Sequence, residues 1–185
     1  LDRFAKEAVI FLTAIALASW TNPSVASLMT SRLPSRHRAV QLRDALDNGQ
    51  VTLAEMLSAK GFATGAAIAN SVIYAADSNF HQGFDVFEGL HGEGGRRSKA
   101  VDTKQVVDRA LHFLDSRRGL PRFLYVHTMD PHVPYTPPAP FDTLFDPKPT
   151  PDHPGVDPRT DFKEPLDRER LIAQYDGDIA YGDTQ

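Results

Sequence analysis

The sequence predicts an α/β fold in which a mainly parallel sheet carries helices on both faces. Short apolar runs rich in aromatic and β-branched residues alternate along the chain with longer segments of helical periodicity. The helical pattern of residues 102–118, followed by the apolar run 122–126, is the best example. Such alternation is typical of parallel strands buried between helical layers. A chain of 185 residues can fill one domain with a sizeable core.

The elements follow from local signals taken in chain order. Thr52 and Glu55 have the spacing of a capping box, and Gly61 is suited to the end of the helix that they begin. Two long segments, 71–100 and 131–165, are predicted to be irregular; the second is rich in proline and is expected to form part of a pocket wall. The regular elements are predicted as a helix over 2–8, a buried strand over 9–16, a strand over 62–69, a helix over 102–118, a buried strand over 122–126 and a helix over 166–181.

Composition excludes several classes of partner. The net charge is −4 and no basic tract is present, which argues against nucleic acid. The chain has no cysteine, so it has neither a disulfide framework nor a thiolate metal site. The apolar stretch 8–20 is shorter than the roughly 20 residues that a membrane-spanning helix needs. Composition leaves the oligomeric state open.

The segment around Thr21 is the first candidate for chemistry. Asn22 is predicted to be an N-cap and Pro23 to be the first residue of a helix, which places Thr21 just outside a helix N-terminus. Unpaired N–H groups and the helix dipole favour phosphate or sulfate oxygens at that position. A hydroxyl that faces a bound oxyanion is a candidate nucleophile. The alternative is an ordinary helix start.

The second candidate segment follows the predicted strand 122–126. His127, Asp130 and His132 come directly after this strand. Ligands of open α/β sheets bind at the carboxyl ends of the strands, so these residues are expected at the functional rim. The alternative is a proline-rich surface turn. His37, which follows the helix predicted after Thr21, is a further candidate that a packing role would equally explain.

Several blocks of the chain resemble, in order, those of the sulfatase family of the alkaline phosphatase superfamily. They cover most of the chain, and their order is more specific than any single block. The blocks read LDRFAKEAVIF, SWTNPSVASLMTSRLPSRH, TLAEMLSAKGFATGAAIAN, HQGFDVFE, FLYVHTMDPHVPYTPP and QYDGDIAYGDTQ.

The resemblance implies an alkaline-phosphatase-like fold and a metal-dependent hydrolase of sulfate or phosphate esters, with a small molecule or a glycan as substrate. Thr21 would be the nucleophile and, through its alkoxide, a metal ligand. His132 would contact the ester's oxyanion, and His127 would support it. The metal would be calcium if the protein is sulfatase-like, and zinc or manganese if it is phosphatase-like. The location would be periplasmic, extracellular or membrane-anchored. The candidate substrate contacts are Asn22, Ser24, Asp130 and His37.

The chain departs from the family pattern at its signature. Typical sulfatases carry CxPxR or SxPxR, whose Cys or Ser becomes a formylglycine, whereas this chain has Thr21 and, at the arginine position, Val25. A threonine nucleophile suits direct attack on phosphorus. The residues aligned with the family's GKWH-like segment are 69–72, which lack its Lys and His. Three functions therefore remain: a sulfate-ester hydrolase, a phosphatase or phosphoryl or phosphoethanolamine transferase, and a non-catalytic binding domain.

The resemblance also implies a larger parent protein. The family's first metal-binding Asp pair would precede Leu1, and its second pair, an Asp followed by Asn or His, would follow Gln185. Residues 1–185 are therefore expected to be part of a single catalytic domain that lacks most of its metal ligands and is inactive alone. Near the end of the chain, Asp176, Asp178 and Asp183 are predicted to be a solvated helix face rather than a calcium loop.

Overall fold

The structure is a computed structural model that describes residues 1–90, 101–146 and 168–185. These residues fall into two compact units, one of residues 1–101 with 105–128 and the other of residues 102–104 with 129–185. The elements, in chain order, are α1 (Asp2–Ala5), α2 (Thr21–Thr30), α3 (Pro34–His37), α4 (Leu53–Ser58), β1 (Ala63–Ile68), α5 (Ser71–Tyr74), β2 (Val86–Gly89), α6 (Thr103–Ser116), β3 (Arg122–His127), α7 (Phe141–Leu144) and α8 (Arg168–Thr184).

The first unit is built on a parallel sheet. Its strand order is β2-β1-β3, so β1 has a parallel partner on each side. Every residue of β1 is buried, and most of its side chains are small. Gly65 explains one close approach, because a Cβ atom there would lie 2.7 Å from the ring of Phe113. Helix α6 therefore packs directly on this face of the sheet.

The opposite face of the sheet holds the main apolar core. Ala66 and Ile68 alternate with Gly65 along the strand, so they face the other way. They belong to one buried cluster with Met29 of α2 and Ile73 of α5. Helices thus cover both faces of the sheet, and the predicted fold class is confirmed.

The predicted capping box is present at the start of α4. The Thr52 hydroxyl accepts a hydrogen bond from the Glu55 N–H at 3.1 Å, and the Glu55 carboxylate accepts one from the Thr52 N–H at 2.7 Å. Gly61 adopts φ +82°, as the predicted helix end requires. Strands β1 and β3 and helices α6 and α8 lie within a few residues of their predicted bounds, although residues 166–167 of the last prediction lie outside the described residues.

The predicted strand over 9–16 is wrong, and α1 is shorter than the predicted helix. Residues 9–16 have no regular structure and are exposed, with Leu12 at 94%. A strand needs a neighbour for its backbone N–H and C=O groups. The central strand β1 already pairs on both sides, and no described strand pairs with this run. Apolar composition alone therefore overpredicted a strand.

The segment 71–100, predicted to be irregular, contains a helix and a strand. Asn70 caps α5 by accepting the Val72 N–H at 2.9 Å. Strand β2 has only four residues, too few to show a periodic pattern, and it forms by pairing with β1. Residues 91–100 lie outside the described residues.

Strand β3 is less buried than predicted. Among the described strands it pairs only with β1, and Val126 is 41% exposed. In the open α/β arrangement an edge position leaves one side of a strand uncovered, whereas the apolar composition had predicted complete burial. The carboxyl end of this strand still carries His127, as predicted.

The second unit packs α8 against α7 and the residues that precede it. A Cβ atom on Gly177 would lie 2.5 Å from the Phe141 carbonyl and 2.9 Å from Pro137 Cγ, so only glycine allows this approach. The rings of Phe141 and Tyr181 also meet, with centroids 5.6 Å apart. The predicted irregular segment 131–165 thus contains α7, and its residues 147–165 lie outside the described part of the chain.

Candidate functional site

Thr21 is the first residue of α2 rather than the residue before the helix. Trp20 is the N-cap, with extended φ of −150° and ψ of 168°, and its side chain makes no capping bond. The first intrahelical bond runs from the Ser24 N–H to the Trp20 carbonyl at 3.3 Å. The N–H groups of Thr21 and Asn22 precede that bond, and proline at 23 has none. A half-buried hydroxyl therefore lies at a helix N-terminus, where anions are favoured.

Asn22 is not the N-cap that the sequence predicted. Its side chain is 1% exposed and donates both amide hydrogens, to the Gln41 carbonyl at 2.5 Å and to the Asp44 carbonyl at 3.1 Å. These tertiary partners take the place of a local cap. Because the side-chain amide has two hydrogens and both are used, Asn22 has no side-chain N–H left for an anionic ester oxygen, and only its main-chain N–H remains. Its geometry instead fixes the start of α2 against residues 41–44.

His37 is a buried neighbour of α2. Its Nδ1 accepts the Ala39 N–H at 3.1 Å, so its Nε2 carries the hydrogen of the neutral ring and lies 3.0 Å from Ser27 Oγ. Burial lowers the pKa of His37, and a hydrogen bond to the Pro23 carbonyl partly opposes this. The ring is 1% exposed and both nitrogens are engaged within the core. This arrangement is that of a packing histidine and leaves no ring nitrogen for a substrate.

His127 ends β3, and its surroundings include a residue that sequence analysis missed. The Tyr125 hydroxyl lies 2.8 Å from His127 Nδ1, and burial raises the pKa of Tyr125 to about 12. The phenol therefore stays neutral and orients the imidazole. The signal for this contact was present in the sequence, because residues two apart on a strand share a face. The His127 carbonyl also accepts the Ala69 N–H at 2.9 Å, which fixes the strand end.

His132 belongs to the second unit and is exposed. Its N–H donates to the Met129 carbonyl at 2.5 Å, which makes a tight turn. Its Nδ1 lies 2.7 Å from the Val133 carbonyl, an acceptor, so Nδ1 carries a hydrogen. The other ring nitrogen, Nε2, is the atom that remains for a ligand: it accepts a proton when the ring is neutral and donates one when the ring is charged.

Asp130 lies two residues before His132 and is the partner of a buried hydroxyl. Thr103 donates from Oγ1 to Asp130 Oδ2 at 2.5 Å. The negative charge of Asp130 also acts on Asp178 of α8. A carboxylate repels an anionic ester group, so the hydrogen-bonding partners of Asp130 favour a role within its own unit.

Asp178 and Tyr181 are polar residues on the buried face of α8, and for Asp178 the predicted solvated face is wrong. Asp178 is 2% exposed; burial, followed by the charge of Asp130, raises the pKa of this carboxyl to about 7, and a hydrogen bond from the Thr136 backbone opposes the rise. The Tyr181 hydroxyl donates to Asp102. The missed signal is the spacing of Ala173 and Gly177, whose small side chains mark the buried face of the helix.

The metal that the resemblance implies is not matched by a ligand set in this chain. Within residues 1–90, 101–146 and 168–185, no group of three or more His, Cys, Asp or Glu side chains is arranged to hold a metal ion. Thr21 is the predicted ligand that the structure places at a helix start, and the described residues do not complete a site around it. In the same part of the chain, no helix is long and apolar enough to cross a membrane.

Comparisons with known proteins agree with this architecture. Among solved structures, the phosphonate monoester hydrolase of Agrobacterium radiobacter aligns with a TM-score of 0.68 at 17% identity, over 91% of this chain and 49% of that one. The protein BT4656, solved in complex with its substrate D-glucosamine-2-N,6-O-disulfate, aligns with a TM-score of 0.64 at 22% identity, over 80% of this chain and 33% of that one. This chain thus spans a third to a half of these structures.

The sequence comparisons identify the family. No curated protein sequence matches the chain. The profile of the sulfatase family matches the chain over residues 1–185. The chain therefore belongs to the sulfatase family.

Proposed function

We propose that a protein containing this chain hydrolyses sulfate esters and uses Thr21 as its nucleophile. The observation that carries the proposal is the position of Thr21 at the first residue of α2, where a half-buried hydroxyl meets unpaired N–H groups. Membership of a hydrolase family supports the reaction class. The sulfated sugar bound by BT4656 supports a sulfated glycan as one substrate class.

The proposed reaction uses two features of the first unit, the Thr21 hydroxyl and the N–H groups at the start of α2. The Thr21 oxygen bonds to the sulfur of the ester as the bond from sulfur to the alcohol oxygen breaks, and the alcohol leaves with the proton that the hydroxyl gives up. Water then cleaves the threonine–sulfate ester, which releases sulfate and restores the Thr21 hydroxyl. The N–H groups of the first turn of α2 donate to the non-bridging oxygens, where negative charge is concentrated. Asn22, held by two main-chain carbonyls, keeps this first turn in place.

His132 is proposed independently as an oxyanion donor, on the geometry of its own unit. The Val133 carbonyl orients the ring through Nδ1 and leaves Nε2 directed away from that bond. In its charged form, Nε2–H donates to an ester oxygen. His127, oriented by Tyr125, is proposed to support substrate at the end of β3.

A phosphate-directed activity is the second candidate function, and Val25 favours it. This residue, at the family's arginine position, is buried in the core cluster with Ala26 and Met29, so no guanidinium arises from that position. Threonine is not the residue that yields formylglycine, whereas a hydroxyl attacks phosphorus directly. The Agrobacterium radiobacter relative is named a phosphonate monoester hydrolase, which supports esters of phosphorus as substrates.

The domain assignment remains part of the proposal. We expect residues 1–185 to contribute the nucleophile and the candidate donors to a larger catalytic domain whose other segments complete a divalent-metal site. The share of each solved structure that the chain spans supports this. The isolated chain should accordingly be inactive, and chelation should abolish the turnover of the protein that contains it.

The test is a paired assay of that protein with an aryl sulfate, an aryl phosphate and an aryl phosphonate monoester, each with and without a chelator. Thr21→Ala is compared with Thr21→Ser and with Ser31→Asn, which removes a hydroxyl at the other end of α2 where φ is 53°. Turnover of the sulfate that Thr21→Ala alone abolishes supports the proposal. Preferential turnover of a phosphorus ester establishes the second function, and no turnover of any ester favours a non-catalytic binding domain.

A further inference from the structure

A carboxylate oxygen without a hydrogen-bond partner lies buried in the second unit. Asp178, in the middle of α8, is 2% exposed, and its Oδ2 has no hydrogen-bond partner among the described residues. The same carboxyl accepts a hydrogen bond from the Thr136 backbone. A buried charged oxygen with no donor is strongly unfavourable, so this atom requires either a donor or a proton.

A second carboxylate acts on the first. The charge of Asp130 disfavours ionisation of Asp178. Asp130 itself accepts a hydrogen bond from the Thr103 hydroxyl at 2.5 Å, so its Oδ2 already has a donor. When a buried carboxyl group interacts with a second, half-buried one, a proton shared between them removes the repulsion and satisfies one oxygen of each. Asp178, with its unpaired oxygen, is the member that holds the proton.

These contacts lie at the two ends of the loop that carries His132. Asp130 begins the loop 130–136 and Thr136 ends it, with His132 between them. We propose that Asp178 is a positioning residue whose protonated Oδ2 donates to the Asp130 carboxylate and, together with the Thr136 bond, fixes the loop that carries His132. The proton comes from solvent and returns to it, and no other bond changes. The value of this position to catalysis rests on the proposed role of His132, whereas the hydrogen bond itself does not.

Several titratable groups lie on the elements around Asp178, and Asp130 supplies the charge that acts on it. Burial is the larger cause of the raised pKa of Asp178, which lies at about 7, and Asp130 adds to it. The shared proton is therefore present in mildly acid solution and lost as the pH rises through neutrality. The other titratable side chains among the described residues of the second unit are Asp102, Lys104, His132, Tyr135, Asp142, Asp146, Arg168, Glu169, Arg170, Tyr175, Asp176, Tyr181 and Asp183.

The test is nuclear magnetic resonance on the 185-residue chain between pH 5 and pH 9, a range of about two pH units on either side of neutrality. It follows the Asp178 carboxyl carbon and the hydrogen exchange of the Thr136 amide. We expect both to change with one midpoint near neutral pH, with Thr136 protected on the acid side. Asp178→Asn retains a donor at every pH, so it should keep Thr136 protected throughout. Asp178→Ala should lose the protection at every pH. Asp176→Asn, two residues earlier on a different face of α8, should behave as the wild type.

The outcomes separate this proposal from the proposed function. Protection of Thr136 that does not change with pH in the wild type, or that survives in Asp178→Ala, would overturn the hydrogen bond. In the protein that contains this chain, Asp178→Ala should lower kcat more than it changes KM. The wild-type kcat should fall as the pH rises above neutrality, and Asp178→Asn should restore kcat and remove most of this fall. If every variant and the wild type lack turnover, the proposed function fails, while the resonance measurements still decide the hydrogen bond.

Discussion

The Ser27 hydroxyl oxygen, on the buried side of α2, lies 3.0 Å from Nε2 of His37. Helix α2 is the helix that begins with the candidate nucleophile, Thr21. The opposite ring nitrogen accepts the Ala39 N–H at 3.1 Å, which fixes one neutral tautomer. The two ring nitrogens of His37 therefore connect α2, through Ser27, to the turn after α3, through Ala39. Its contribution to stability should depend on its remaining uncharged.

Replacing His37 should destabilise the first unit without a change in net charge at neutral pH. His37→Ala leaves a cavity and two unpaired polar partners, so we expect a loss of about 2–4 kcal/mol in the free energy of unfolding. Chemical denaturation of the wild type and the variant measures it. Exposed His112→Ala is the control and should change stability by less than about 0.5 kcal/mol. A loss as small as the control's would show that the buried hydrogen bonds contribute nothing.

The pH dependence of stability in the first unit should carry the sign of a depressed histidine pKa. Burial lowers the pKa of His37 below its ordinary 6.5, so the unfolded chain binds a proton that the folded unit does not. Stability should therefore be complete above pH 6.5 and fall as the pH drops below that value. The difference in unfolding free energy between wild type and His37→Gln, measured at several pH values, isolates this effect. A difference that stays constant across the range would contradict it.

Asp178 should give the second unit the opposite sign. Its pKa is raised from 3.8 to about 7, so the folded unit keeps a proton that the unfolded chain has lost. Stability should be greatest on the acid side and decline as the pH rises from about 4 to about 7, by at most about 4 kcal/mol. Asp178→Asn should remove this decline and raise stability at alkaline pH. Denaturation at matched pH values measures it, and an unchanged decline in the variant would refute the assignment.

The contact between Gly65 and Phe113 should make the sheet intolerant of a single methyl group. A Cβ atom at residue 65 would lie 2.7 Å from the ring, so Gly65→Ala should cost about 1–3 kcal/mol of unfolding free energy. Adding Phe113→Leu should recover part of that loss, because the two changes share one space. The control is Gly182→Ala in α8, which meets nothing within 4 Å. Additive losses in the double variant would mean that the ring is not what excludes the methyl group.

The sequence predicted what local chemistry determines. The capping box at Thr52 and the positive φ of Gly61 formed as expected because both depend on residues within one or two turns. The run 9–16 and strand β2 were predicted wrongly, since pairing with a distant strand decides whether either forms. The helix was predicted to begin at Pro23, two residues after its start at Thr21, because Asn22 bonds carbonyls about 20 residues later in the chain instead of capping.

Among the site residues, too, the positions set by local sequence were predicted and those set by distant partners were not. The sequence placed His127 at a strand end and His132 just beyond it, and the structure agrees with those positions. It did not reveal that Asp178 is buried and that the charge of Asp130 acts on it, because three aspartates on a helix resemble a solvated face until the helix has a partner. The small residues Ala173 and Gly177 were the only local sign of that partner.

His132 should matter for turnover and not for folding. The ring is exposed, so His132→Ala should leave the unfolding transition of the chain unchanged. In the protein that contains this chain, loss of an oxyanion donor should reduce kcat on the order of 10²-fold. Steady-state kinetics and thermal unfolding are measured together, with His112→Ala as the exposed control. A fall in thermal stability with unchanged kcat would assign His132 a structural role.

The central claim, that the Thr21 oxygen becomes covalently bonded to the group it cleaves, is tested most directly by rapid-quench mass spectrometry. The protein that contains this chain is mixed with an activated aryl sulfate or aryl phosphate, stopped in acid during turnover and digested. The account predicts that the peptide spanning α2 gains the mass of one sulfuryl or phosphoryl group on Thr21, and that Thr21→Ala lacks it. Undiminished turnover by Thr21→Ala, with no modified peptide in either protein, would contradict the account.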